Sequence, residues 1–186
     1  GDKFYLYNEY LTRSHIAKKE GDMTEGIRLL IWIIEDSEDQ YTNQIAWVKY
    51  HLASTLAFAG ATKASQDYIL PVIINPSSKY DNTVLHLSTN LVATNYFQLK
   101  NYDKALLFFK KSFDKYDQID FKMKASMLNN IGLCYKNKKQ YEESLTQFLK
   151  ARETIDSATR QTEEMLFLKY LLEGNIGSTY QLLNDL

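Results

Sequence analysis

Apolar and polar positions alternate along this chain with helical spacing, and the pattern breaks only at short polar or glycine-bearing turns. Nine helices follow from it. The first covers residues 4–19 and stops at Glu20-Gly21-Asp22, where glycine suits a helix end and aspartate the next start. The second ends near residue 35, in the acidic stretch Glu35-Asp36-Ser37-Glu38-Asp39. The third covers 41–59 and stops at Gly60. The fourth covers 63–74, with Pro71 expected to shorten or kink it. Beyond the break at Asn75-Pro76-Ser77-Ser78 the pattern predicts helices over 82–99, 102–116, 121–137, 141–156 and 162–184.

Small residues punctuate these helices at a fixed interval. Ser14, Ala53, Ala93, Gly132 and Gly177 form one series, with steps of 39, 40, 39 and 45 residues. Gly26, Ser65, Ala105 and Ser144 form a second, each twelve residues after its counterpart in the first. A large apolar residue follows four later: Leu30, Ile69, Phe109 and Phe148. Two helices that cross closely need small side chains where their backbones meet, so a chain that repeats the requirement stacks copies of one helical hairpin. Glycine inside a helix costs about 1 kcal/mol relative to alanine. Gly132 and Gly177 are therefore expected at close helix crossings. The fold class that follows is all-α: a right-handed solenoid of antiparallel helix hairpins. It forms one repeat domain over 1–186, with units near 7–45, 46–85, 86–124 and 125–169 and a half unit at 170–186.

The unit from Ala125 to Ala158 carries Leu128, Ile131, Gly132, Tyr135, Tyr141, Ser144, Leu145, Phe148 and Ala151. It resembles a tetratricopeptide repeat, as does the unit from His86 through Val92, Ala93, Tyr96, Tyr102, Ala105, Phe109 and Ser112. Ile176, Gly177 and Tyr180 supply the first half of another. The first two units depart further, with Arg13 where an apolar residue belongs. The family period is about 34 residues, whereas this chain runs at 39 to 40. Each hairpin thus gains about one and a half helical turns, which implies a wider superhelix.

The resemblance implies a concave groove lined by the first helix of each hairpin, holding a protein or peptide segment. Its inward offsets fall on Leu87, Asn90, Thr94, Phe97 and Gln98, then on Ser126, Asn129, Leu133, Lys136 and Asn137. The second unit offers Trp47, Tyr50, Ser54 and Phe58, and the first His15, Lys18 and Lys19. An asparagine amide both donates and accepts, so Asn90 and Asn129 suit an extended peptide backbone. The competing role for Asn129, Asn130 and Asn175 is to tie adjacent helices together. Trp47, Tyr50 and Phe97 serve either as apolar anchors for a partner or as core. The offsets that form a chaperone-tail clamp hold Leu11 and His15, which argues against that ligand. Arrays of this kind are similar to the sensory portions of bacterial regulators. The leading expectation is a binding scaffold within a larger signalling protein, and the alternative is a structural module that pairs into a homodimer.

Composition narrows the chemistry. A formal net charge of −1 leaves no overall nucleic-acid footprint. Residues 98–152 hold twelve Lys or Arg against six Asp or Glu, read as solvated helix faces or as a modest basic surface for an acidic partner. Cys134 is the only cysteine, so no internal disulfide forms, and its place beside Ile131 marks it as inert packing. No run of about 18 apolar residues exists, so membrane insertion is not expected. The compartment stays open between cytoplasm and periplasm. The opening Gly1-Asp2-Lys3 lacks Met and reads as a scar with a leader removed. Leu186 aligns with Tyr102 and Tyr141, so the array is expected to run on past it. His15, His51 and His86 are far apart in sequence and none has metal-ligand spacing. There is no phosphate loop, and Glu142-Glu143 and Glu163-Glu164 are adjacent pairs that point to different sides of a helix. Neither an enzyme nor a cofactor is expected.

Overall fold

The computed structural model describes residues 3–37, 42–115, 120–160 and 162–185. Those residues form helices and turns, with no strand among them. The helices are α1 (Lys3–Lys19), α2 (Met23–Asp36), α3 (Thr42–Phe58), α4 (Thr62–Ile74), α5 (Asn82–Gln98), α6 (Tyr102–Lys115), α7 (Phe121–Asn137), α8 (Tyr141–Asp156) and α9 (Glu163–Asn184). Among the described residues five of them start on a side chain that accepts a hydrogen bond from a first-turn amide: Asp22 from Glu25, Asp81 from Val84, Asn101 from Lys104, Asp120 from Met123 and Thr162 from Met165. Helix α4, with 13 residues, ends three residues after Pro71, as that proline requires. The expectations placed on Gly1, Glu38, Asp39, Tyr41, Tyr116 and Leu186 lie outside the described residues.

The helices fall into two compact units, Gly1–Leu99 with α1 to α5 and Lys100–Leu186 with α6 to α9. In the first, Ser14 Oγ donates to the Gly26 carbonyl at 2.8 Å and Tyr7 Oη to the Asp36 carbonyl at 2.7 Å. Partners move apart symmetrically about the turn, so α1 and α2 run antiparallel. In the second, Ser144 Oγ donates to the Gly132 carbonyl at 2.9 Å. In these two hairpins the twelve-residue interval of the sequence is spanned by a hydrogen bond from the serine to the glycine carbonyl. Helices α8 and α9 are antiparallel by the same logic, through Lys169–Asp156 and Arg152–Glu173.

Burial follows the repeat. Ser14, Ala53, Ala93, Ser65, Ala105 and Ser144 are fully buried, as are Leu30, Ile69 and Phe148, with Phe109 nearly so. The core of the first unit gathers Tyr7, Leu30, Ile33, Ile45, Val48 and Leu52. That of the second gathers Ala125, Leu128, Phe148, Ala151, Ile155, Met165, Leu172 and Ile176. An added Cβ on Gly132 would lie 2.6 Å from Phe148 Cε1, so this glycine lets a ring rest directly on the α7 backbone.

Gly177 does otherwise. It is exposed, and an added Cβ would find no atom within 4 Å, so no close crossing occurs there among the described residues. The turns hold a further series that the sequence pattern did not reveal. Gly21 (φ 89°), Gly60 (φ 81°), Lys100 (φ 59°) and Lys139 (φ 61°) all take left-handed backbone just past a helix end, at steps of 39, 40 and 39. In the last two a lysine does what glycine does in the first two.

Candidate functional site

Within each unit the first helices of successive hairpins lie parallel. In the first unit, Lys18 meets Thr55 and His15 meets His51, so α1 and α3 pair at offsets of 37 and 36 residues. Asn43 and Trp47 of α3 both donate to Asp81 Oδ2, at 3.1 and 2.9 Å, at the start of α5. In the second unit α7 and α9 pair through Asn129 with Asn175 and Lys136 with Ser178, at offsets of 46 and 42. Parallel first helices set side by side make an inner face on which side chains of neighbouring repeats converge.

In the first unit that face is aromatic and polar. Trp47, Tyr50, His51, Asn90, Thr94 and Phe97 are all half-buried, neither core nor free surface. The Trp47 ring stacks on His51 at 6.0 Å and meets Tyr50 edge-on, also at 6.0 Å. The His15 ring meets His51 edge-to-face at 4.8 Å. Burial and the neighbouring His15 and Lys18 cations push His51 down to about 4. Burial lowers His15 and Lys18 as well, with Lys18 and Lys19 adding to the effect on His15. Burial alone would raise the Asp81 carboxyl. Its bonds from the Val84 amide, Trp47 and Asn43 outweigh that and hold it below the usual range. Thr94 Oγ1 donates to the Asn90 carbonyl, and Asn90 Oδ1 is buried with no hydrogen-bond partner among the described residues. Phe58, the fourth residue of this set, projects at the end of α3 and is 81% exposed.

In the second unit the expected groove residues are engaged within the protein. Asn129 Oδ1 accepts from Asn175 Nδ2 at 2.9 Å, so this amide ties α7 to α9. Lys136 Nζ donates to Ser178 Oγ at 2.6 Å. Leu133 packs against the core cluster, and Asn137 caps the Leu133 carbonyl from an exposed position. A cavity of about 490 Å³ remains between Lys122 and Ser126 of α7 and Phe167 and Leu171 of α9. A larger one, about 630 Å³, opens among Lys110, Phe113, Lys124, Gln147 and Lys150.

The pairing of His15 with His51 was missed because the two lie 36 residues apart in sequence. The signal was available: parallel helices one repeat apart bring together residues separated by about one period. Cys134 is fully buried as expected, and burial raises its thiol to about 12. Among the described residues no group of three or more His, Cys, Asp or Glu could hold a metal ion, and no helix is long and apolar enough to cross a membrane.

Residues 125–153, covering α7 and most of α8, match the tetratricopeptide repeat family. This segment is similar to a single tetratricopeptide repeat. Solved structures extend the likeness to the fold as a whole. BtubC from P. vanneervenii superposes with a TM-score of 0.81 at 15% identity, over 97% of this chain and 74% of that one. The apo form of RapI gives 0.73 at 18%, over 97% and 68%. MamA from Desulfovibrio magneticus RS-1 gives 0.63 at 16%, over 100% and 97%. Among curated proteins no sequence matches the chain. The fold is a tetratricopeptide-like helical repeat, an architecture whose extended concave surfaces commonly serve as scaffolds for protein partners.

Proposed function

We propose that this chain is a non-catalytic scaffold that holds a protein or peptide segment on the inner faces of its first helices, as part of a larger signalling or regulatory protein. One observation carries the reading. The inner face of the first unit presents half-buried aromatics, an amide and a hydroxyl, Trp47, Tyr50, Asn90 and Thr94, where a purely structural face would close-pack or solvate them. Trp and Tyr give large contact area with few torsions to freeze, which suits them to anchor a ligand. The second unit contributes less, because Asn129 and Lys136 are already bonded to α9. The residues best placed to bind are therefore Trp47, Tyr50, Asn90, Thr94 and Phe97.

A peptide-display selection against the full chain tests this. Selected segments are expected to lose at least tenfold in affinity on Tyr50→Ala with Asn90→Ala, with an unchanged melt. Undiminished binding by that variant would overturn the assignment. A second reading, self-association, is favoured by α9, where Leu166, Phe167, Tyr170, Leu171 and Tyr180 are all exposed. Light scattering at micromolar concentration separates the two: a dimer that Tyr170→Glu dissociates would favour the second.

A further inference from the structure

We propose that the groove between α6 and α8 in the second unit is a separate site for a small phosphate ester, which seats its apolar body on the groove floor and its phosphoryl head among Lys110, Gln147 and Lys150. The inference stands apart from the inner-face reading, because it uses the opposite side of α7.

The groove exists because α7 packs on both α6 and α8 while, among the described residues, α6 and α8 hardly touch each other. Its volume is about 630 Å³, and small-molecule sites run from about 300 to 1,000 Å³. Lys124, Leu128 and Ile131 line it from α7. At about 100° per residue they fall on the face opposite Ser126, Asn129 and Leu133. Asn129 is tied to α9, so the groove lies on the side of α7 turned from that helix. The floor is apolar. Leu128 and Ile131 are buried, and Phe113 of α6 packs half-buried against the same core.

Charge on the rim is not spent within the fold. Among the described residues Lys110, Lys124 and Lys150 form no ion pair. Lys110 Nζ gives one of its three N–H donors to Tyr135 Oη at 2.8 Å, which leaves two. Lys124 Nζ rests 5.7 Å from the centre of the Phe113 ring, and Lys150 is exposed. The Thr154 and Ser157 hydroxyls donate to the Lys150 and Thr154 carbonyls at 2.8 and 2.9 Å. The side-chain donors left for a ligand are therefore the ammonium groups and the Gln147 amide.

Two acids, Asp114 and Glu153, also border the groove, and the helix register puts them at its far end. Helices α7 and α8 run antiparallel about the Ser144–Gly132 bond, so each step forward on α8 is a step back on α7. Gln147 thus stands level with Asn129, Lys150 with Ser126 and Glu153 with Met123. Phe113 meets Lys124 and Lys110 meets Tyr135, so α6 is antiparallel to α7 as well. That sets Asp114 near the level of Glu153 and Lys110 towards the opposite end, with Gln147 and Lys150. The head group follows from the donor type. A planar carboxylate is matched by the fork of an arginine, and none lines this groove among the described residues. Ammonium groups mounted on two helices approach from different directions, which suits a tetrahedral phosphoryl group with three acceptor oxygens and a charge of about −2.

The test is a titration of the full chain with 1-naphthyl phosphate, read by methyl NMR of Leu128 and Ile131. Three relatives accompany it: 1-naphthol, 1-naphthoate and inorganic phosphate. The ester is expected to saturate those signals and to bind about tenfold tighter than each relative. Lys110→Gln and Lys150→Gln are each expected to weaken the ester about three- to tenfold and to leave 1-naphthol unchanged. Both positions are exposed, and circular dichroism melts check the fold. The comparison of the four ligands on wild type decides the matter even where a variant fails to fold. Any relative binding as tightly as the ester, or shifts at Trp47 and Tyr50 in place of Leu128 and Ile131, would overturn the site.

Discussion

Replacing Gly132 and Gly177 by alanine, one at a time, should move stability in opposite directions although the two occupy the same repeat position. Alanine gains about 1 kcal/mol over glycine inside a helix, and that gain is common to both. At Gly177 nothing lies within 4 Å of the new methyl group, so the gain stands alone. At Gly132 the methyl would sit 2.6 and 2.7 Å from Phe148 Cε1 and Cδ1. Carbon atoms rest about 3.5–4.0 Å apart, so the ring must retreat by about 1 Å. It has nowhere easy to go, being fully buried among Ala125, Leu128, Ala151 and Ile155. Overpacking of that kind costs about 1–3 kcal/mol, which leaves Gly132→Ala about 1 kcal/mol less stable than wild type. The gap between the two variants is then about 2 kcal/mol, or about 4–8 °C in melting temperature for a chain of this size. Circular dichroism melts with matching urea titrations measure it. The double substitution Gly132→Ala, Phe148→Leu should recover part of the loss, since the smaller side chain makes room. Equal shifts of the same sign would refute the claim that glycine at 132 exists to admit the ring. Gly132→Leu should lower the melt further still.

Two other substitutions report on the first unit. Asp81→Ala removes the α5 cap and strands the Trp47 and Asn43 donors together, so it should cost about 2 kcal/mol and shift Trp47 emission; an unchanged emission maximum would argue against the bond. His51 takes up its proton near 6.5 when unfolded and near 4 when folded. The unfolded state thus binds more protons in that window, and stability should fall as pH drops from about 6.5 to 4, by about 2–3 kcal/mol at most. His51→Gln should flatten that slope, and a slope untouched by the substitution would show that another group carries it.

How much of this was legible in the sequence depends on how local the signal is. Helices α7 and α8 were read to the residue, because Asp120, the Asn137-Lys138-Lys139 turn and Asp156 mark their ends within a few positions. The twelve-residue interval between small residues is a close crossing, as its buried members show, and in two hairpins the crossing also carries a hydrogen bond, Ser14 to Gly26 and Ser144 to Gly132. Gly177 misled because the repeat position says what a glycine permits, while only a neighbouring helix says whether it is used. Lys139 and Lys100 escaped notice since lysine carries no signature of left-handed backbone. For the candidate site, Trp47, Tyr50 and Asn90, taken from the inward offsets as anchors or core, are half-buried. They could not tell that Asn129 is bonded to Asn175, or that His15 faces His51, because both contacts join residues one repeat apart.

The central claim is that ligands bind on the parallel first helices of the repeats. Backbone chemical-shift mapping of the full chain with a display-selected segment tests it most directly. The account predicts that shifts concentrate on α1, α3 and α5, with Trp47, Tyr50 and Asn90 among the largest. Shifts confined to α2, α4, α6 and α8 would contradict it.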